Sequence, residues 1–246
     1  STSSERKGES IEDTLRTFSS YVDLVVMRSP VAGLCDRIAA LFDATDRPVP
    51  IINAGSGPDE HPTQALLDIY TLQRSFKNEG GIEGKTVCFV GDLKRGRTVR
   101  SLSRLLRHYD GVHIKFVSPP EYAIENDLRT HLLSRGVSFS EEDRLLDAIS
   151  GADAIYMTRV QDEYQIASEV TPGSYEEFHL KVEHLKYLKE SAVIMHPLPR
   201  RGELDPEIDK DPRAKYWRQE RNGMWTRTAL ITMLLGVDDR IVMPDI

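Results

Sequence analysis

Short apolar runs alternate along the chain with longer segments in which apolar residues recur at the helical period. The apolar runs predict buried strands of parallel sheets, and the amphipathic segments between them predict crossover helices. This alternation predicts an α/β fold. The predicted strands are 22–27, 49–53, 86–91, 112–118, 137–140, 154–158 and 192–195, and the predicted helical segments are 10–21, 31–44, 62–76, 98–108, 125–134, 141–149, 174–190 and 223–235.

A loop-like stretch at 78–84 divides this pattern into two domains, each predicted to be a parallel sheet flanked by helices. We predict a first domain over 1–72 and a second over 73–221. The apolar character of the last helix makes it a candidate to pack back on the first domain, so 222–246 is assigned there.

Two local patterns give sharper expectations within the first domain. Ser10, three residues before Asp13, predicts a helix N-cap. The strand 22–27 is continuously apolar after Asp23, which is typical of a parallel strand covered on both faces.

The overall charge bears on the class of partner. The 246 residues carry a net charge of −7 and give a pI near 5.6, which argues against nucleic acid as the main partner. An acidic protein can still focus positive potential in one cleft. The positions of the arginines therefore matter more than their number.

Apolar content and cysteine usage bear on the compartment. No run of about 18 apolar residues occurs, so no membrane span is expected. The first residues lack the apolar core of a secretory signal. Cys35 and Cys88 both lie in apolar stretches without metal-ligand spacing, which predicts packed, reduced thiols and a cytoplasmic setting.

Candidate ligand-binding residues follow the predicted strands. Ligands of open α/β sheets bind beyond the carboxyl ends of strands, and Arg28, Arg97 and Arg159 occupy such positions. A single surface arginine is usually solvated or weakly paired. Several at strand ends, together with Lys7, favour recognition of a ligand with several negative charges, because guanidinium matches carboxylate and phosphate oxygens.

Two stretches resemble phosphate-binding elements. The glycine-rich loop 53–60 leads into a helix start where His61 and Gln64 lie three residues apart, and a helix N-terminus favours anions. The loop 91–97 matches neither G-x-G-x-x-G nor G-x-x-x-x-G-K-[ST], which excludes those nucleotide-binding motifs.

Four motifs follow predicted strands in order along the chain: His61-Pro62-Thr63-Gln64, Gly91-Asp92-Leu93-Lys94 with Gly96-Arg97-Thr98, Met157-Thr158-Arg159-Val160-Gln161 and His196-Pro197-Leu198-Pro199-Arg200. Their order and spacing resemble those of the catalytic chain of aspartate carbamoyltransferases over essentially the whole chain. The resemblance implies a carbamoyltransferase-like fold and transfer of the carbamoyl group of carbamoyl phosphate to L-aspartate, in pyrimidine synthesis, with no cofactor or metal.

The resemblance implies one set of residues for carbamoyl phosphate. Arg28 would hold the phosphate, and His61 and Gln64 would bind the carbamoyl carbonyl and amide. The backbone carbonyls of Leu198 and Pro199 would accept hydrogen bonds from the carbamoyl amine.

A second set would bind aspartate and complete the site. Arg97 and Arg159 would hold the two carboxylates, and Gln161 would help to orient the substrate. Ser3 and Lys7 would reach into a neighbouring subunit's site in a homotrimer with shared active sites. Lys7 would join Arg28 and His61 as a catalytic residue.

The sequence departs from the family at its front. The Ser-x-Arg-Thr phosphate loop has no counterpart, and the stretch 225–228 resembles it only in letters because it lies inside the predicted last helix. We expect the sequence to be an incomplete piece of an enzyme. The alternative is an inactive homologue that acts as a binding or assembly subunit.

Three further questions stay open. Tyr164 replaces an arginine that is frequent in the family, which bears on aspartate affinity. Ornithine carbamoyltransferase is a competing activity, although paired Arg97 and Arg159 suit a dicarboxylate better. The chain could also work with a regulatory subunit or within a larger multifunctional polypeptide.

Overall fold

The computed structural model describes residues 8–57, 60–160 and 175–240. The chain forms two compact units, unit 1 (Ser1–Thr63 and Trp225–Ile246) and unit 2 (Gln64–Met224), against predicted boundaries at 72/73 and 221/222. The helices are α1 Ile11–Ser19, α2 Leu34–Asp43, α3 Pro62–Ser75, α4 Arg97–Leu106, α5 Asn126–Ser134, α6 Leu145–Ile149 and α7 Tyr216–Leu234, and the strands are β1 Val25–Ser29, β2 Ile51–Ser56, β3 Thr86–Val90, β4 His113–Val117, β5 Ser138–Glu142, β6 Ala154–Met157 and β7 Val193–Met195.

Unit 1 contains the parallel strands β1 and β2 connected through α2. The predicted cap of α1 is confirmed, because the Ser10 side chain accepts a hydrogen bond from the Asp13 amide at 3.0 Å. A small apolar core joins β1 to α2. Its buried members are Met27, Leu34, Cys35, Ile38, Phe42 and Val49.

The expectation that the first strand is covered on both faces is wrong. The strand begins at Val25 and extends to Ser29, and Val26 is 58% exposed whereas Met27 is 8% exposed. Successive side chains of a strand point to opposite faces, and only one face of β1 packs into the described core.

Unit 2 contains a five-stranded parallel sheet in the order β5-β4-β3-β6-β7. Alternate residues of β3 belong to two different apolar clusters, Val87 and Phe89 to one and Cys88 and Val90 to the other. The sheet is therefore buried on both faces, as its continuous apolar runs predict. The predicted α/β class is confirmed.

Three predicted elements of unit 2 differ from the structure: the strand 137–140, the helix 141–149 and the helical region 174–190. Residues 141 and 142 pair with β4 and extend β5, so the predicted helix at 141–149 begins only at Leu145. The predicted helical region 174–190 holds two short 3-10 helices among its described residues, Glu176–Phe178 and Val182–Tyr187.

The last helix begins at Tyr216, seven residues before the predicted start. Its first part buries Gln219 and Asn222, polar residues that the apolar pattern does not reveal. The stretch 225–228 lies inside α7, as predicted. None of the helices among the described residues has the length and apolar character needed to span a membrane.

Candidate active site

The carboxyl ends of β3 and β6 lie side by side in unit 2. From β3 the chain moves outward through β4 to β5, then returns to place β6 on the other side of β3. This reversal of strand order is the topological switch point, the usual ligand site of such sheets. Arg97 follows β3 and Arg159 follows β6, so the two predicted aspartate ligands come from the segments that leave the switch point.

Close backbone packing fixes the start of the Arg159 segment. The Thr158 amide and hydroxyl both donate to the Val90 carbonyl, at 2.8 and 2.9 Å. The Thr158 carbonyl accepts from the Tyr175 hydroxyl at 2.8 Å. Gly91 has a φ of 120°, and a Cβ there would lie 2.3 Å from the Thr158 carbonyl oxygen. Only glycine allows β3 and β6 to end this close together.

The loop after β3 is held by contacts within it and with Tyr122. Asp92 is fully buried and accepts from the Arg95 amide at 3.1 Å. The Arg95 guanidinium lies 5.7 Å from the Tyr122 ring centroid. Arg97, half-buried, then opens α4.

The turn after β7 carries the two predicted carbonyl ligands, Leu198 and Pro199. His196 Nδ1 accepts from the Leu198 amide at 2.8 Å, and Nε2 lies 2.7 Å from Glu203 Oε1. Because Nδ1 accepts, the proton of the neutral ring is on Nε2 and donates to Glu203. The ring therefore supports a turn in which Leu198 has a φ of 53°.

Glu203 is an acceptor for this turn. Burial by itself would raise its pKa, but hydrogen bonds from His196 and from the Arg201 and Glu203 amides outweigh burial and hold the pKa below its usual value. Glu203 is 3% exposed and ionised at neutral pH. It was absent from the predicted site residues.

Gln64, 8% exposed, begins a buried polar network in unit 2. Its amide Nε2 donates to Asp68 Oδ1 at 2.9 Å. The same carboxylate accepts from the Tyr156 hydroxyl at 2.8 Å and from Gln219 Nε2 at 2.6 Å. Burial and then the adjacent carboxylate raise the pKa of Tyr156, which keeps its hydroxyl protonated.

The sequence holds only a weak signal for these supporting residues. Gln64 and Asp68 are four apart and so share one face of a helix. Tyr156 and Gln219 are 88 and 151 residues from Asp68, and no local pattern connects them.

In unit 1, Arg28 lies where the β1–β2 pairing is irregular. Met27 pairs with Asn53 and Ser29 pairs with Ser56, so two residues of β2 oppose Arg28 alone. Such a bulge redirects the side chains around it. Arg28 is exposed at this end of β1.

His61 directly precedes Pro62, the first residue of α3. Backbone hydrogen bonds between Ser56 and Glu60, at 3.0 and 3.4 Å, close the loop that leads to it. The Gly57 amide donates to the Ser29 carbonyl at 2.8 Å and ties β2 to the end of β1. His61 lies at the helix start, the position that the sequence predicts, and is half-buried there.

Four residues singled out in the sequence lie outside the described residues: Ser3, Lys7, Gln161 and Tyr164. Their assignments stay predictions. Across the described ranges, no group of three His, Cys, Asp or Glu residues is arranged to hold a metal ion.

Two family models match the chain. The model described as aspartate/ornithine carbamoyltransferase, carbamoyl-P binding domain, matches residues 1–74. The model described as aspartate/ornithine carbamoyltransferase, Asp/Orn binding domain, matches residues 83–234.

Curated relatives agree with these models. The chain is 42% identical over 234 residues to the chloroplastic aspartate carbamoyltransferase of Oryza sativa subsp. japonica, a match that covers 95% of this chain and 62% of that protein. It is 44% identical over 237 residues to the multifunctional protein URA2 of Saccharomyces cerevisiae, covering 96% of this chain and 10% of that protein. The chain thus spans about three fifths of the length of the plant relative.

Solved structures give the same result. Aspartate transcarbamoylase from Trypanosoma cruzi, in complex with carbamoyl phosphate and aspartate, is 35% identical with a TM-score of 0.81, over 94% of this chain and 72% of that one. The catalytic subunit of M. jannaschii aspartate transcarbamoylase is 37% identical with a TM-score of 0.81, over 97% of this chain and 74% of that one. The chain belongs to the aspartate/ornithine carbamoyltransferase family.

Proposed function

We propose that the protein transfers the carbamoyl group of carbamoyl phosphate to L-aspartate, giving N-carbamoyl-L-aspartate and phosphate, in de novo pyrimidine biosynthesis. The observation that carries the proposal is the pair of arginines leaving adjacent strands at the switch point of unit 2, after β3 and β6. A solved relative with carbamoyl aspartate and phosphate, and another with aspartate and phosphate, support it.

Arg97 and Arg159 are assigned to the two aspartate carboxylates. Each guanidinium presents a planar fork that pairs with a carboxylate through two hydrogen bonds. A ligand with two carboxylates therefore suits this pair better than ornithine, which has one carboxylate and a cationic side chain. Gln161 is assigned to orienting the bound aspartate.

Arg28, His61, Gln64 and the carbonyls of Leu198 and Pro199 are assigned to carbamoyl phosphate. The uncharged aspartate amine attacks the carbonyl carbon, forming a C–N bond while negative charge builds on the carbonyl oxygen. His61 donates a hydrogen bond to that oxygen, which lowers the barrier without a nucleophilic side chain. The C–O bond to phosphate then breaks, and the departing phosphate takes the amine proton.

The assembly and location of the protein are part of the same proposal. A cytoplasmic homotrimer with shared sites would place Ser3 and Lys7 of one subunit at the neighbour's site. Curated relatives that are multifunctional polypeptides favour a larger chain as a second arrangement.

Calorimetry with carbamoyl phosphate, then with aspartate, tests substrate binding on the full chain. Parallel assays with aspartate and ornithine test product formation. We expect binding of both proposed substrates, and carbamoyl aspartate as the product. Binding without product would favour a homologue that binds only, and citrulline as the main product would contradict the assignment of aspartate.

A matched pair of arginine variants tests the aspartate site. Arg159→Met should raise the KM for aspartate by at least about tenfold while carbamoyl phosphate binding is retained, because one carboxylate loses its charged partner. Arg135→Met removes the same charge from an exposed position at the end of α5 and should leave the KM unchanged. Equal effects of the two variants would contradict the assignment.

His61→Ala tests the proposed stabilisation of the oxyanion. Turnover at saturating substrate should fall by about 10²-fold, the usual effect of removing one such donor. Unchanged turnover with a raised KM would show that His61 contributes to binding alone.

A further inference from the structure

Asp68 is a buried acceptor on which three side chains of unit 2 converge. Its side chain is fully buried in α3 and receives Gln64 Nε2, Gln219 Nε2 and the Tyr156 hydroxyl, all within 2.9 Å. An ionised carboxylate has acceptors and no donor. Three converging donors suit that ionised form.

This chemistry determines how the two glutamine amides are oriented. Each amide must turn its NH₂ end towards Asp68, because its oxygen would meet another acceptor there. The Gln64 oxygen is thereby kept off Asp68 and can accept a hydrogen bond from another donor. Without a fixed partner, a glutamine amide can present either end to a ligand.

The orientation continues from Gln219 into the turn after β7. With its NH₂ group on Asp68, Gln219 uses its Oε1 to accept from the His196 amide at 2.9 Å. The His196 ring in turn accepts from the Leu198 amide. One carboxylate thus fixes the orientation of the Gln64 amide and anchors the turn that carries the Leu198 and Pro199 carbonyls.

We infer that Asp68 is a positioning residue that fixes the Gln64 amide and, through Gln219, the turn at Leu198 and Pro199, so that the site presents acceptors to the NH₂ group of its substrate. The inference rests on the proposed function, in which that NH₂ group belongs to carbamoyl phosphate. Asp68 is fully buried, so it acts through Gln64 and Gln219 and not on the substrate directly.

The consequence is selectivity for carbamoyl phosphate over acetyl phosphate, in which a methyl group replaces the NH₂ group. A methyl group donates no hydrogen bond, so oriented acceptors bind it less well. Loss of the orientation should weaken carbamoyl phosphate binding much more than acetyl phosphate binding. A role of Asp68 in folding alone would weaken both equally.

The experiment measures the Kd of both phosphates by calorimetry on the full chain. Asp68→Leu, which removes the acceptor, should reduce the preference for carbamoyl phosphate by about tenfold. Asp68→Asn should retain most of it, because the Asn oxygen can receive both glutamines while the Tyr156 hydroxyl, a donor and an acceptor, turns to accept from the new NH₂ group.

Thr71→Val is the matched control, on the same helix and buried to 1% exposure. It removes a hydroxyl that accepts from Asn222 Nδ2 at 2.9 Å, so stability should fall while the selectivity ratio is unchanged. If Asp68→Leu fails to fold, Gln219→Met is the alternative variant, because it removes the amide that connects Asp68 to the His196 amide. It should reduce the preference for carbamoyl phosphate over acetyl phosphate by about threefold.

The outcomes separate the inference from the proposed function. The inference is overturned if the wild type binds both phosphates with equal affinity. It is also overturned if the ratio of the two affinities is unaltered in folded Asp68→Leu or Gln219→Met. In either case the proposed function still stands. Binding of neither phosphate by the wild type overturns both.

Discussion

Gly91 controls the contact between the ends of two strands at the candidate site. Its φ of 120° is rarely adopted by other residues, and a Cβ there would overlap the Thr158 carbonyl. Any residue with a side chain would therefore have a strained backbone here and would also overlap Thr158. Both act on the backbone that leads to Arg159.

Gly91→Ala should lower the free energy of unfolding by about 2–5 kcal/mol, from strain and overpacking together. Urea unfolding of the full chain measures the effect. Gly136→Ala is the control, because Gly136 also has a positive φ, 68°, but open space around its Cβ. It should cost only about 1–2 kcal/mol, and equal losses would contradict the steric argument.

Glu203 gives a pH-dependent prediction at the same scale. Its pKa is lowered in the folded state, so its stabilisation is present above its unfolded pKa and is lost as the pH falls through the folded value. Glu203→Gln should cost about 1–3 kcal/mol at pH 7. The difference from wild type should shrink as the pH falls below about 4.5.

Urea unfolding at a series of pH values from 7 to 3.5 checks this. Glu207→Gln, at a largely exposed carboxylate, should show little effect at any pH. A difference for Glu203→Gln that stays constant with pH would mean that ionisation of Glu203 contributes nothing to the turn.

At the scale of elements, local chemistry decides where α1 begins. Ser10 accepts from the Asp13 amide and thereby satisfies one of the free donors of α1. This signal is confined to four neighbouring residues, which is why the sequence reveals it. The starts of α6 and α7 depend on partners far along the chain, and their predicted starts are wrong.

Ser10→Ala should therefore destabilise α1 by about 1 kcal/mol, since the Asp13 amide loses its acceptor. Thermal unfolding followed by circular dichroism measures the change. Ser20→Ala, at the exposed C-terminal end of the same helix, should be close to neutral. Equal shifts of the two midpoints would show that the cap contributes nothing specific.

At the scale of the whole molecule, the two cysteines report on the two units separately. Cys35 lies in unit 1 and Cys88 in unit 2, and both are free and buried. Burial raises the pKa of both thiols, foremost by desolvation. Because the thiolate is the reactive species, both should react slowly with thiol reagents in the native protein.

As the urea concentration rises, the Cys35 thiol should become reactive to the label before the Cys88 thiol. The reason is that unit 1 has one small described core, whereas unit 2 has two larger ones. The variants Cys88→Ala and Cys35→Ala each leave one thiol and separate the two signals. Coincident labelling midpoints would show that the units unfold together.

The sequence by itself determined the features that depend on near neighbours. Apolar runs located the strands, Ser10 marked a helix start, and arginines after β3 and β6 marked the candidate ligand positions. These signals lie within a few residues, where backbone periodicity and capping act.

Only the tertiary structure decided which strand ends meet and what supports the ligand-binding residues. The return of the chain that places β6 beside β3 brings the Arg97 and Arg159 segments to one edge. Asp68 acquires its partner Gln219 from 151 residues away. Buried polar residues resemble surface residues in a sequence, and their long-range partners exist only once the chain has folded around them.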